Sequence, residues 1–534
     1  MEQQLQTLFS WVSPGSLGLL AVLTLSSVIL YRLYLHPLRH IPGPLWGRAS
    51  SLFLYAISYL GIEARVLRHY HQLYNTKVLR IAPNSVSVSD SAALAAIYVS
   101  GGGFQKDARY ANFNLGDTKT IFSALDTEYR DVRAKAVAPL FSPGRLRAAS
   151  EPGGVIHQCI SDFVKQLESF RAAPVHESSQ QSSSSSGGGP LRIDILDLCA
   201  RLSLDVVTGY LLGEWYGGLT EHQHLTTKAR RAAKLSINPF IFAIVGFSRF
   251  SLLPGWVFRA LYGLYARAAF GESIKTCMAR LDAFSQRLVG QAVDSKEAHA
   301  IPATTARDRN RDSYQARLLA AGVTPEEAVV QCEAIVFAGA DSTSLKLATV
   351  LFHLVQNPAR LERLRRELSR EEDGEAGDPA APYLRAVVKE GLRLGMANPT
   401  RQTRVVPERK EVGLRVGGVH VVPPGAVVGA AAYVLHHDPA VFPRPFEFRP
   451  ERWLEPGMDE GLRRPDMERS LLMFGLGLRA CIGKNLAQQQ LHEAVKAVAL
   501  SGVLEGARTV KERIELVEWF NAEIKGHVLE IEWP

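Results

Sequence analysis

Cysteine is scarce. The 534 residues hold five, Cys159, Cys199, Cys277, Cys332 and Cys481. No two form a CxxC pair, so neither a structural zinc site nor a paired-cysteine redox centre is supported. A disulfide-stapled scaffold is excluded too, and an odd number leaves one thiol unpaired whatever happens. A strong charge of one sign is also missing. The chain has 61 Lys and Arg against 53 Asp and Glu, a net +8, which suits a membrane surface or an acidic partner and asks for no nucleic acid. Composition is otherwise globular, with 46% hydrophobic and 21% charged residues, which excludes a wholly disordered or fibrous protein.

Charge is absent altogether from residues 11–31, WVSPGSLGLLAVLTLSSVILY, about the twenty residues a helix needs to cross a bilayer. No Lys or Arg precedes it and no small-residue cleavage site follows, so it reads as a retained single-pass anchor, residues 1–35, rather than a cleaved signal. Arg32, Arg39 and His40 come next and place the downstream body on the cytoplasmic face. In HPLRHIPGP, residues 36–44, three prolines enforce a stiff, helix-free hinge. The body is expected over 45–534. Its low-complexity stretch 177–190, ESSQQSSSSSGGGP, reads as an insertion in a surface loop, because a helical pattern resumes at once and such insertions add little closure entropy.

The body reads as mainly α with a small β portion. Helices are expected over 62–74, 125–140, 324–358, 381–396 and from near Asn485, with two β-prone runs around a Pro-Asn turn in KVLRIAPNSVSVSD. Residues 100–120 read as a long loop. The apolar, proline-broken segment 237–262 reads as a membrane-touching helix–loop–helix edge. The longest helix has Thr324 as cap, Pro325 in its first turn and Glu327 completing a capping box. In its middle lies AGADST, residues 338–343, small and polar where a core helix would carry Leu or Ile.

The motif FGLGLRACIGKNLA, residues 474–487, resembles the haem-binding signature of the cytochrome P450 family, with Phe474, Gly477, Arg479, Cys481 and Gly483 at its F-x-x-G-x-R-x-C-x-G positions. The physical reading agrees: a haem thiolate needs a cysteine on a tight loop with backbone donors and a helix N-terminus nearby. Glu390-x-x-Arg393 resembles the family's E-x-x-R pair, with Arg452 of PERW as third partner. AGADST is similar to the oxygen-activation motif, with Asp341 as the acid, Ser342 in place of the usual threonine, Thr343 following and Gly339 leaving room for dioxygen. Arg479 and Arg404, with Arg401 a close rival of the latter, are implied to meet the haem propionates. Tyr129-x-x-x-Arg133 resembles the family's W/H-x-x-x-R pair, with Lys135 as the alternative if the register shifts.

The resemblance implies a fold with haem b between a long central helix and the cysteine loop, Cys481 being the axial ligand of the iron. It implies a fungal, endoplasmic-reticulum-bound monooxygenase that inserts one atom of O2 into an apolar small molecule, as in a hydroxylation of secondary metabolism. Epoxidation, ring coupling and desaturation are alternatives; a non-oxygenase isomerase or a non-catalytic haem- or lipid-binding protein fits less well. The fifty or so residues after the signature are too few for a flavoprotein domain. Electrons are therefore expected from NADPH through NADPH–cytochrome P450 reductase, with cytochrome b5 as a second donor, docking near Arg479 and Lys484.

Overall fold

The computed structural model describes residues 14–172, 191–269, 271–297, 312–372, 381–408, 413–454 and 464–534; the stretch 177–190 lies outside them. The uncharged N-terminal run forms helix α1 (Pro14–Leu30), which a π-helical turn, Tyr31–Leu35, extends to 22 residues with no buried side chain. Among the described residues one other helix is long and apolar enough to span a membrane, and it is the largely buried centre of the body. The proline-rich segment that follows is more than a spacer. Leu38 and Ile41 are fully buried, and the Pro42 carbonyl accepts from the Arg80 amide at 2.8 Å. Gly43 lies so close to Arg80 that a Cβ would meet its carbonyl oxygen at 2.0 Å.

The helices that build the site are α2 (Thr127–Val137), α3 (Ile195–Val207), α4 (Asn238–Phe247), α5 (Gly255–Ala269), α6 (Glu272–Glu297), α7 (Pro325–Gln356), α8 (Pro382–Leu394) and α9 (Lys484–Ser501). With 32 residues, α7 runs about 48 Å and serves as the axle on which α3, α6, α8 and α9 pack. Thr324 caps it, its hydroxyl accepting from the Glu327 amide at 3.3 Å. The expected reciprocal bond from Glu327 is not made. Its carboxylate turns instead to Arg133 and Tyr129 of α2, because a forked, charge-assisted contact outweighs a bond to one backbone amide.

Strands are short: β1 (Val78–Ala82), β2 (Ser85–Val88), β3 (Leu191–Asp194), β4 (Arg404–Val405), β5 (Leu414–Val416), β6 (His420–Val422), β7 (Val427–Ala430), β8 (Arg508–Thr509), β9 (Leu516–Val517), β10 (Glu523–Ile524) and β11 (Glu530–Trp533). They form sheets β1-β2-β7-β4, β3-β11-β8, β10-β9 and β5-β6. The hairpin at Pro83–Asn84 joins β1 to β2, and β2 then pairs in parallel with β7, Val86 opposite Val428.

The segment 237–262 divides between core and surface. Helix α4 buries Phe240, Ile241 and Val245, whereas α5 leaves Trp256 73% and Leu264 64% exposed. Between α8 and the PERW turn lies the buried ion network. Arg393 contacts Glu390 at 2.8 Å, both fully buried, and Arg452 reaches Glu390 at 3.1 Å. The Trp453 indole and Arg449 amide also donate to this carboxylate, each at 3.0 Å. The spare Arg393 donors go to the carbonyls of His436 and Pro445, which ties α8 to the chain that leads to the cysteine loop.

Candidate active site

The cysteine loop is shaped by glycine. Gly475 and Gly477 both take φ +67°, a conformation that L side chains resist, and a Cβ on Gly477 would lie 1.9 Å from the Tyr98 carbonyl oxygen. The loop closes where the Cys481 amide donates to the Phe474 carbonyl at 2.8 Å. Gly483, which also caps α9, donates its amide to the Cys481 sulfur, so the positive end of the helix faces the thiol. Cys159, Cys199, Cys277 and Cys332 are buried, and Cys481 alone is exposed. Even so, burial pushes the Cys481 thiol up, against the pull of Lys346, the Gly483 amide and Lys484. Both facts hold when the sulfur looks into an internal cleft: its surface can be reached, while protein on every side withholds bulk water.

The facing wall is the middle of α7. Ala338 is exposed within this otherwise largely buried helix, and the Ser342 hydroxyl, one turn on, donates to the Ala338 carbonyl at 2.9 Å. Ala338, Ser342 and Lys346 follow at four-residue intervals and share a face. That face meets the cysteine loop, since the Lys346 ammonium stands 4.6 Å from the centre of the Phe474 ring. Thr343 is buried.

Asp341 turns another way. It lines a cavity of about 40 Å³ with Asn238, Phe242, Glu523 and His527, large enough for a few waters. Burial pushes its carboxyl up to about 7, with Lys346 opposing and Glu523 adding to the rise. Gly339 does not line the open face of α7. Its bare side faces α3, where a Cβ would lie 2.3 Å from Val207, so the glycine permits close helix packing and Ala338 takes the open face.

Four cations gather beside the cleft. Lys106 is buried in the field of Arg404, Arg479 and Arg130, and burial followed by these charges drives its ammonium well down. Lys106 and Arg404 face each other across an isolated antiparallel bridge. Arg479 hydrogen-bonds the Ala124 and Leu125 carbonyls at 3.1 Å; it turns inward, while neighbouring Lys484 is exposed. The carboxylates that Arg479 senses are Asp131 and Asp126, and Asp131 already pairs with Arg130 at 2.9 Å.

Sequence reasoning missed Lys106 and Arg130. Lys106 falls in the long loop and carries no motif, whereas Arg130 was legible only as the residue after Tyr129. Arg133 and Tyr129 are placed elsewhere. Arg133 is held by Glu327 and stacks 3.4 Å over the Tyr129 ring, and the Tyr129 hydroxyl donates to the Lys119 carbonyl at 2.7 Å. Arg401 is also spoken for, buried against Glu63 at 3.2 Å and Ser85 at 2.7 Å, which leaves Arg404 in the cluster.

The family model for cytochrome P450 matches residues 51–498. The chain is 56% identical over 516 residues to the cytochrome P450 monooxygenase mfmF of Annulohypoxylon moriforme, covering 96% of this chain and 99% of that protein. It is 28% identical to the cytochrome P450 monooxygenase hkm5 of Aspergillus hancockii, over 88% and 85% of the two chains. With the cytochrome P450 monooxygenase astB of Aspergillus terreus it shares 25% identity over 94% of each. The chain belongs to the cytochrome P450 family and is a monooxygenase of that family. Membership implies a haem cofactor. The residues present fit one: an accessible thiol within the body, backed by a helix N-terminus, beside four cations that outnumber their carboxylates and suit a dianion.

Proposed function

We propose that this monooxygenase is held in the endoplasmic reticulum membrane by α1, with residues 36–44 as a hinge and the body, 45–534, in the cytosol. The exposed apolar residues support this arrangement. Trp46, Leu52 and Leu60 near the anchor and Trp256 and Leu264 of α5 are bare, and the two regions meet where the Tyr59 and Phe250 rings stand 5.6 Å apart. Such a surface suits an interfacial contact. The body is one catalytic domain in this reading.

The observation that carries the mechanism is the placement of Cys481, an accessible thiol inside the body with the Gly483 amide on its sulfur. Cys481 would supply the thiolate that holds the iron, and its loop donors would moderate the sulfur's charge. Arg479, Arg404, Arg130 and Lys106 would hold the haem propionates. Bound haem supplies the reductive activation of dioxygen, one oxygen atom going to the substrate and the other leaving as water. Asp341, with a carboxyl near neutrality, takes protons from the water-sized cavity and hands them to the Ser342 side of α7, with Thr343 buried beside it. Ser342 presents the same donor and acceptor as threonine without the methyl that restricts its rotamer.

Electrons come from NADPH through NADPH–cytochrome P450 reductase, with cytochrome b5 as a second donor, and exposed Lys484 offers an acidic partner a contact. The substrate is an apolar small molecule of fungal secondary metabolism, and the reaction is a hydroxylation. The test is reconstitution in vesicles with reductase, NADPH and isotopically labelled dioxygen, screening extracts of the producing organism by mass spectrometry. A product carrying one labelled atom is expected. NADPH-independent turnover, or a product without label, would overturn the reading.

A further inference from the structure

Lys346 has no part in the chemistry described so far, yet its position is costly. It lies in the buried half of α7 at 6% exposure, and among the described residues no carboxylate comes within ion-pair distance of it. A buried ammonium without a counter-ion is disfavoured by several kcal/mol, so its surroundings must supply an equivalent interaction or it must serve another group. Its ammonium sits 4.6 Å from the centre of the Phe474 ring, a cation–π contact. Phe474 is the residue whose carbonyl takes the Cys481 amide at 2.8 Å. The Lys346 ammonium, the Phe474 ring and the Cys481 backbone therefore form one continuous contact between α7 and the cysteine loop.

The electrostatics run along the same line. Burial lowers the Lys346 ammonium, and of the charges that counter this, Cys481 comes before Asp341. Lys346 thus lies against the cysteine loop, over the ring of the residue that closes it. A fixed positive charge beside a metal thiolate favours the more negative redox state, the reduced one, and a low local dielectric lengthens its reach.

We propose that Lys346 is a positive charge built in beside the axial thiolate, where it raises the reduction potential of the iron and eases acceptance of the first electron from the reductase. This rests on the reading of Cys481 as the ligand. Lys346 acts through that sulfur and is a positioning charge, distinct from the acid and hydroxyl at residues 341–343.

The test is spectroelectrochemical titration of the full-length holoenzyme and of Lys346→Met, Lys346→Gln and Lys346→Arg, with the reduced carbon monoxide spectrum of each recorded alongside. The two neutral variants should keep the thiolate band and shift the ferric–ferrous equilibrium at least tenfold toward ferric, about 59 mV for one electron. Lys346→Arg should stay near the wild type. Neutral variants with the band intact and a wild-type potential would overturn the proposal. Loss of the band in both neutral variants, with retention in Lys346→Arg, would overturn it, since the charge would then hold the thiolate rather than tune the potential of an intact site. Loss in all three would overturn it, because shape rather than charge would be at issue. A wild type without the band would overturn the ligand assignment itself, an outcome visible before any variant is made.

Discussion

Arg130 and Arg133 lie three residues apart on α2, and their replacement by glutamine should have separable effects. Arg130 shares the field of Lys106 and Arg479, the cations assigned to the haem carboxylates. One charge-assisted hydrogen bond is worth about 1.5–3 kcal/mol, so Arg130→Gln should weaken haem binding roughly 10- to 150-fold. Arg133 is engaged by both oxygens of Glu327, in the first turn of α7. Hydrogen bonding to Glu327 raises the Arg133 guanidinium further above its ordinary value. Arg133→Gln should therefore lower folding stability by about 1.5–3 kcal/mol and leave haem retention unchanged. Transfer of haem to excess apomyoglobin, followed by absorbance, measures the first effect, and thermal unfolding measures the second. Fast haem loss from Arg133→Gln with wild-type retention by Arg130→Gln would refute this assignment and restore the motif-based one.

Glu390→Gln leaves Arg393 and Arg452 buried without their carboxylate and should lose about 3–5 kcal/mol in thermal unfolding. Burial pushes the Glu390 carboxyl up, but Arg393, Arg452 and the hydrogen bonds overcome it and hold it below its ordinary 4.5. Its contribution is thus present above that value and lost as pH falls through the lowered one, a loss the variant should lack. Asp341 behaves oppositely. With its carboxyl raised from 3.8 to about 7, it is a proton donor below neutrality, so product formed per NADPH should fall as pH rises through about 7. Asp341→Asn should give a low, flat profile. Its stabilising contribution is present below 3.8 and lost as pH rises through about 7, so Asp341→Asn should gain on the wild type by up to roughly 4 kcal/mol above neutrality. Ser342→Ala should consume NADPH while forming less product and more peroxide.

Much of the architecture could be read from sequence because it rests on local signals. The 32-residue helix follows from a threonine cap, a proline in the first turn and an apolar run, and the hairpin at 78–88 from a Pro-Asn turn between β-branched strands. The cysteine loop was equally legible, since Gly475 and Gly477 take a positive φ and a Cβ on Gly477 would lie 1.9 Å from the Tyr98 carbonyl oxygen. What escaped was set by distant contacts. Glu327 looked like a local cap until α2 offered a guanidinium. Gly339 looked like space beside a reacting group until α3 brought Val207 against it. Lys106 joined the cation cluster through a single backbone bridge to Arg404, 298 positions away by numbering (404 − 106). No periodicity announces such a contact.

The central claim is that Cys481 is the thiolate ligand of a haem. Cys481→Ser keeps the shape of the loop and the Gly483 amide contact but replaces sulfur with a hydroxyl. The reduced protein under carbon monoxide is the direct measurement. The wild type should show the red-shifted band that gives the family its name, and the variant should lose it. A Cys481→Ser protein that retained the band would contradict the account.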